Sequence, residues 1–156
     1  MSCQPVNGPL PNTPSLKIKK YAKSIVAGDT QSAPISIGRG ETFNYFYTIE
    51  NDSSATAAAT SVVVKDTFPD ALTFTGNITV KDPSGIDVSN DWTCTKGVYL
   101  ATTRITLICT KKTDMSANSG LYTFTIPVTL SAIAPLGVSM QNVAYACAAN
   151  APNNPK

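Results

Sequence analysis

Three polar side chains fall where a β-rich sequence should be apolar. Leu16, Ile18 and Lys20 occupy alternate positions of one segment, Val62, Val64 and Asp66 of a second, and Met140, Asn142 and Ala144 of a third. If each segment is a strand, its period of two sends all three members to one face. A lysine and an aspartate are then aimed at a core, where an isolated charge is costly, so each needs a partner, and Asn142 is placed to join them. Burial lowers the pKa of an amine and raises that of an acid, which turns such a pair toward its neutral forms. A plain ion pair at the rim of the fold, with Asn142 bonded to backbone, satisfies the same pattern. Asp66 also precedes Thr67-Phe68-Pro69, a turn at which aspartate often bonds its own backbone. Lys17 and Lys19 face the other way on this register, and Lys23 lies past the expected strand end.

A second chemistry resides in Cys3, Cys94, Cys109 and Cys147. The count is even, no CxxC spacing occurs, and the chain has no histidine to complete a metal cluster, so disulfides are expected and no metal. Cys94 with Cys109 would staple a hairpin, and Cys3 with Cys147 would join the two ends of the chain. Spacing leaves the other connectivities open, and four buried thiols are the plain alternative. Disulfides imply an oxidising, extracellular location.

The absence of histidine also removes the commonest general base and the Ser/His and Cys/His nucleophile pairs. The ten acidic residues offer no evident acid and base couple, so neither an enzyme acting on an external substrate nor a cofactor is expected. Charged residues make up only 14% of the chain, with 20 Thr and 14 Ser in their place, and the net charge of +2 is too small and too evenly spread for nucleic acid. Apolar runs such as Val62 to Val64 fall far short of the ~20 residues that cross a bilayer, so no membrane insertion is expected. Met1, Ser2 and Cys3 lead into prolines without a basic and apolar signal pattern, as in a processed chain.

The elements that position these residues are strands. Windows rich in Thr, Val, Ile, Tyr and Phe alternate apolar with polar residues, and helical periodicity is nowhere sustained. The pattern predicts strands at Leu16 to Ala22, Ile35 to Ile37, Thr42 to Glu50, Ser61 to Asp66, Leu72 to Phe74, Ile78 to Lys81, Trp92 to Thr95, Arg104 to Thr110, Tyr122 to Leu130 and Val138 to Cys147. Turns at Gly38-Arg39-Gly40, Asp82-Pro83-Ser84-Gly85 and Asn118-Ser119-Gly120 separate them. This spacing predicts an all-β, immunoglobulin-like antiparallel β-sandwich over residues 15–147, between a proline-rich tail at 1–14 and a second tail at 148–156. Phe43, Tyr45 and Tyr47 read as a core face, and Trp92 beside Cys94 reads as packing. Asn51 and Asn77 each head a glycosylation sequon, a short pattern that arises easily in a Thr-rich chain.

Several dispersed motifs fit one family. Gly40-Glu41-Thr42-Phe43-Asn44-Tyr45, Ile49-Glu50-Asn51, Val62-Val63-Val64-Lys65-Asp66-Thr67-Phe68-Pro69, Leu72-Thr73-Phe74, Trp92-Thr93-Cys94, Cys109-Thr110 and Gln141-Asn142-Val143-Ala144 occur in this order. Across about residues 16 to 147 the chain resembles the bacterial and archaeal surface repeat first catalogued as domain of unknown function eleven. The resemblance implies an immunoglobulin-like module of secreted adhesins, stalks and cell-surface fibres, although such domains occur in tandem and this chain holds one copy. Related fimbrial and adhesin domains join a lysine to an asparagine by an intramolecular isopeptide bond assisted by an acid. By that resemblance Lys20 is the nucleophile, Asn142 the acceptor amide and Asp66 the acid. The implied function is a fibre subunit or stalk segment that self-associates head to tail, and the N-terminal tail is a candidate donor to a neighbour's sheet edge, although its prolines remove ladder donors. The alternative is an adhesin-like or carbohydrate-binding module that meets a surface or glycan ligand through Trp92 or a loop aromatic such as Tyr99.

Overall fold

The computed structural model of the protein describes residues 12–22, 36–98, 104–140 and 142–151. Nine strands are formed there: β1 (Leu16–Ala22), β2 (Thr42–Asn51), β3 (Val63–Thr67), β4 (Leu72–Phe74), β5 (Thr79–Lys81), β6 (Trp92–Val98), β7 (Ile105–Lys111), β8 (Tyr122–Leu130) and β9 (Ala144–Cys147). A single turn of 3-10 helix, Ser89–Asp91, precedes β6. One sheet runs β1-β2-β8-β4, with β5 also paired to β8, and the other runs β6-β7-β3-β9. Every pairing is antiparallel.

Alternation fills the space between the sheets. From one side come Phe43, Tyr47 and Ile49 of β2 with Phe124, Ile126, Val128 and Leu130 of β8, and from the other come Val64 of β3, Trp92 of β6 and Leu107 and Cys109 of β7, all buried. Each large apolar side chain so buried contributes roughly 1.5–3 kcal/mol, and these two-residue repeats hold the register, because a slip of one position would turn them out to water. Pro127 interrupts none of this. It lies in β8 between the stretches paired to β4 and to β5, its carbonyl accepts from Thr75 N at 3.2 Å on that side, and its missing N–H costs no ladder bond.

Cys94 and Cys109 are directly opposed in the β6–β7 register, with Cα atoms 4.0 Å apart, and are joined by a disulfide. The loop it closes has a sequence separation of 15, for which chain entropy gives about 3 kcal/mol. The Cys94→Ser, Cys109→Ser double variant is expected to fold and to melt ~6–12 °C lower, as read by circular dichroism. Cys147 is also disulfide-bonded. Cys3, its expected partner, lies outside the described residues, as does most of the N-terminal tail.

The expected strands β1, β4 and β8 have the observed bounds, and the others shift at their ends. Residues 36–38 form no strand, and Ile35 is outside the described residues. The last strand begins at Ala144 instead of Val138, and Met140, expected on a core face, is 40% exposed. The reason is the partner: β9 takes its ladder from β3, whose last pairing sets Asp66 against Ala144, one residue before β3 ends ahead of Phe68-Pro69. Beyond β9 the chain stays packed through Ala151. Ala149 N donates to Thr60 O at 2.8 Å, and Asn150 bonds both Thr60 N and Ala58 O.

Candidate functional site

Lys20, Asp66 and Asn142 meet between the sheets. The β1–β2 register sets Lys20 opposite Tyr47 and Ala22 opposite Tyr45, so the lysine stem runs along an aromatic face of β2. Its Nζ lies 4.0 Å from the centre of the Tyr45 ring, 4.9 Å from that of Phe68 and 5.2 Å from that of Tyr47. Only 10% of the Lys20 side chain is exposed, and none of Asp66. Asp66 comes from β3 of the opposite sheet, and Lys20 Nζ donates to its Oδ2 at 2.5 Å. The Tyr47 hydroxyl donates to the same oxygen. Asn142 stands two residues ahead of Ala144, the ladder partner of Asp66, and therefore on the same face; its Nδ2 donates to Oδ2 at 3.5 Å. Asp66 Oδ1 and Asn142 Oδ1 are both buried without a hydrogen-bond partner among the described residues.

Burial dominates the electrostatics. It pulls the Lys20 amine down to about 8, against the attraction of Asp66, and raises the Asp66 carboxyl, against Lys20, Tyr47 and Asn142. Burial, and then the charge of Asp66, pushes Tyr45 up to about 12 and Tyr47 well above the phenol range, so both hydroxyls stay neutral. The two shifts draw the proton affinities of Lys20 and Asp66 toward each other. A second buried lysine makes the contrast. Lys111 Nζ bonds Asp91 and, at 2.5 Å, Thr113 Oγ1, facing the Trp92 and Tyr122 rings. Burial pushes Asp91 up, yet the bonds from Lys111 and Thr113 hold it below its ordinary value, so that pair is a plain salt bridge.

The remaining candidates separate clearly. Trp92 is 5% exposed and meets Phe124 edge-on at 4.7 Å and Tyr122 at 6.4 Å, which makes it packing and no contact platform. Trp92→Ala is expected to cost ~3–5 kcal/mol of stability, measured by denaturant titration. Tyr99 lies outside the described residues. Asn51 is fully buried, with its Nδ2 donating to Ala57, Met115 and Ser116 carbonyls, so the folded chain does not present that sequon; Asn77 is exposed. Among the described residues no group of acidic and cysteine side chains could hold a metal, and no helix is long and apolar enough to cross a membrane.

Sequence reasoning missed the polar ends of the aromatic box. Tyr45 and Tyr47 were legible as core rings, but a phenol on a core face also demands a hydrogen-bond partner, and that was the signal for a polar centre opposite them.

No family model and no curated protein matches the sequence. Among solved structures the chain is similar to the major pilin subunit BcpA of Bacillus cereus, at 17% identity and a TM-score of 0.57 over 85% of this chain and 34% of that one. It is also similar to the Corynebacterium diphtheriae major pilin SpaA, whose structure points to a modular pilus assembly with stabilising isopeptide bonds, at 18% identity and a TM-score of 0.58 over 90% of this chain and 33% of that one. The pilus backbone protein RrgB of Streptococcus pneumoniae follows at 18% identity and 0.56, over 85% and 51%. The chain thus spans between a third and about half of these pilins, and shares with them an immunoglobulin-like all-β fold.

Proposed function

We propose that this chain is a module of an extracellular, pilus-like fibre whose sandwich is locked by an isopeptide bond between Lys20 and Asn142. The carrying observation is the convergence of Lys20, Tyr47 and Asn142 on one buried oxygen of Asp66 inside an aromatic box. The two unpartnered oxygens support it further. An amide N–H facing one oxygen of an acid, with the acid O–H facing the amide carbonyl, is the cyclic pair of a carboxylic acid and a primary amide. Here the N–H arm is present, and one proton on Asp66 Oδ1, directed at Asn142 Oδ1, would satisfy both orphans at once.

The reaction then follows from these groups. Lys20 passes a proton to Asp66 and becomes a neutral amine, and the acid polarises the Asn142 carbonyl. Nζ attacks Cγ, the Nζ–Cγ bond forms, and the Cγ–Nδ2 bond breaks. Asp66 takes the second proton from Nζ and delivers one to Nδ2, which leaves as ammonia. No oxidant or external reactant is consumed, and the bond forms once.

The fibre reading is supported by the fold held in common with three pilins and by cysteines that pair, as secreted proteins favour. Head-to-tail self-association through the N-terminal tail and a Cys3–Cys147 link belong to the same proposal. The test is the intact mass of the denatured chain after full reduction, with a gel run with and without reductant. A mass short by one ammonia supports the bond; the full composition mass overturns it. A ladder that collapses to monomer on reduction makes the end cysteines links between subunits.

A further inference from the structure

The cross-link reading uses Lys20, Asp66 and Asn142 and leaves one contact without a role. Tyr47 sits in the middle of β2, paired to β1 through Lys20 and to β8 through Phe124, and is fully buried. Its ring packs beside Phe124, with centroids 6.2 Å apart, and its hydroxyl donates to Asp66 Oδ2. Tyr45, two residues earlier, differs: it offers Lys20 its ring face at 4.0 Å.

A carboxylic acid can hold its proton on either oxygen, and only one choice serves the chemistry. On Oδ2 the proton would confront the donors of Tyr47, Lys20 and Asn142 and would leave both orphan oxygens unpaired. On Oδ1 it would meet an acceptor. Lys20 cannot enforce that choice throughout, because it gives up its protons and its position as it attacks Asn142. The Tyr47 hydroxyl is neutral, fixed and chemically idle, so it remains a donor from start to finish. We propose that Tyr47 is the positioning residue of the cross-linking reaction, its hydroxyl clamping Asp66 Oδ2 so that the acid proton resides on Oδ1, toward the Asn142 amide. This role rests on the cross-link reading above. Among the described residues, the groups that face Asp66 are Lys20 from β1, Tyr45 and Tyr47 from β2, and Asn142 ahead of β9, while β7 sets Leu107 beside it in the ladder.

The test follows ammonia loss in time. Chain recovered unfolded, before any bond has formed, is refolded across a range of pH, quenched at intervals and weighed intact. Tyr47→Phe keeps the ring and its packing, and is expected to slow ammonia loss by about tenfold to a hundredfold. It should also move the limb of the pH–rate profile that belongs to Asp66 to higher pH, because a carboxylate that loses a donor holds its proton more tightly. A merely structural role would change the rate without moving that limb. Tyr45→Phe, which leaves Oδ2 clamped, should keep the limb in place. In the Tyr45→Phe background, 3-fluorotyrosine at the remaining tyrosines makes position 47 a stronger donor and should move the limb to lower pH, which keeps the test open if Tyr47→Phe does not fold. Wild-type rate and an unmoved limb in Tyr47→Phe, or an unmoved limb with fluorotyrosine, would overturn the role. A wild-type chain that never loses ammonia removes the cross-link reading itself, and the two failures are told apart by that control.

Discussion

Lys20→Ala is expected to return the reduced chain to its full composition mass and to lower its melting temperature by about 10–20 °C. The lost cross-link would close the long loop from Lys20 to Asn142, for which chain entropy gives roughly 5 kcal/mol, and for a domain of this size each kcal/mol is worth roughly 2–4 °C. The pH dependence is the sharper sign. Burial already raises Asp66, and the lysine charge is the largest force opposing that rise, so without Lys20 the carboxyl is pushed higher still. The folded acid then keeps a proton that the unfolded chain has released. Stability should therefore be greatest below the ordinary carboxylate value of 3.8 and fall as pH rises above it. Melts of the variant between about pH 4 and pH 8 read this directly. A variant that still lost ammonia would remove Lys20 as the nucleophile.

Asp66→Ala should fail to cross-link as well, because the proton relay is gone, yet its stability should slope the opposite way with pH. Lys20 is then left in its box of rings, which offset roughly 0.5–2 kcal/mol of a ~3–5 kcal/mol loss. Its amine, already drawn down to about 8, loses the attraction that held it even there. The unfolded chain keeps that proton up to the ordinary lysine value of 10.5, whereas the folded one sheds it earlier. Stability should accordingly be lowest at neutral pH and rise as pH climbs toward 10.5. Opposite slopes in two variants of one site are hard to obtain from generic loss of packing. Equal and flat profiles would mean that the pair is not buried as described.

Much of this site was legible because a strand has a period of two. Parity alone sends Lys20, Asp66 and Asn142 inward, and it also separates Lys20 from Lys17 and Lys19. What parity cannot supply is which strands face each other. The pairing of Lys20 with Tyr47 is a long-range register, and so is the union of Asp66 on one sheet with Lys20 on the other. The same limit explains the last strand. Val138, Met140 and Asn142 continue the alternation of β9, but a strand needs a neighbour as well as a pattern, and β3 ends before it could pair with them. Trp92 was the easier case, since a large ring two residues from a cysteine on a strand shares its inward face.

β1 ends one sheet and β9 ends the other, and Lys20 and Asn142 lie on or beside these two outermost strands. The proposed covalent tie there would take up traction along the molecule. A pull on the two ends would pass from β1 to the segment before β9 through a single amide, and residues 21–141 would hang as an unloaded loop beside that path. The hydrogen-bond ladders and the packed rings would then carry no tension. With the proposed bond in place they would need only the modest cohesion of a small domain, resistance to stretching would be set by covalent chemistry, and a string of such modules would lengthen little until its backbone parts.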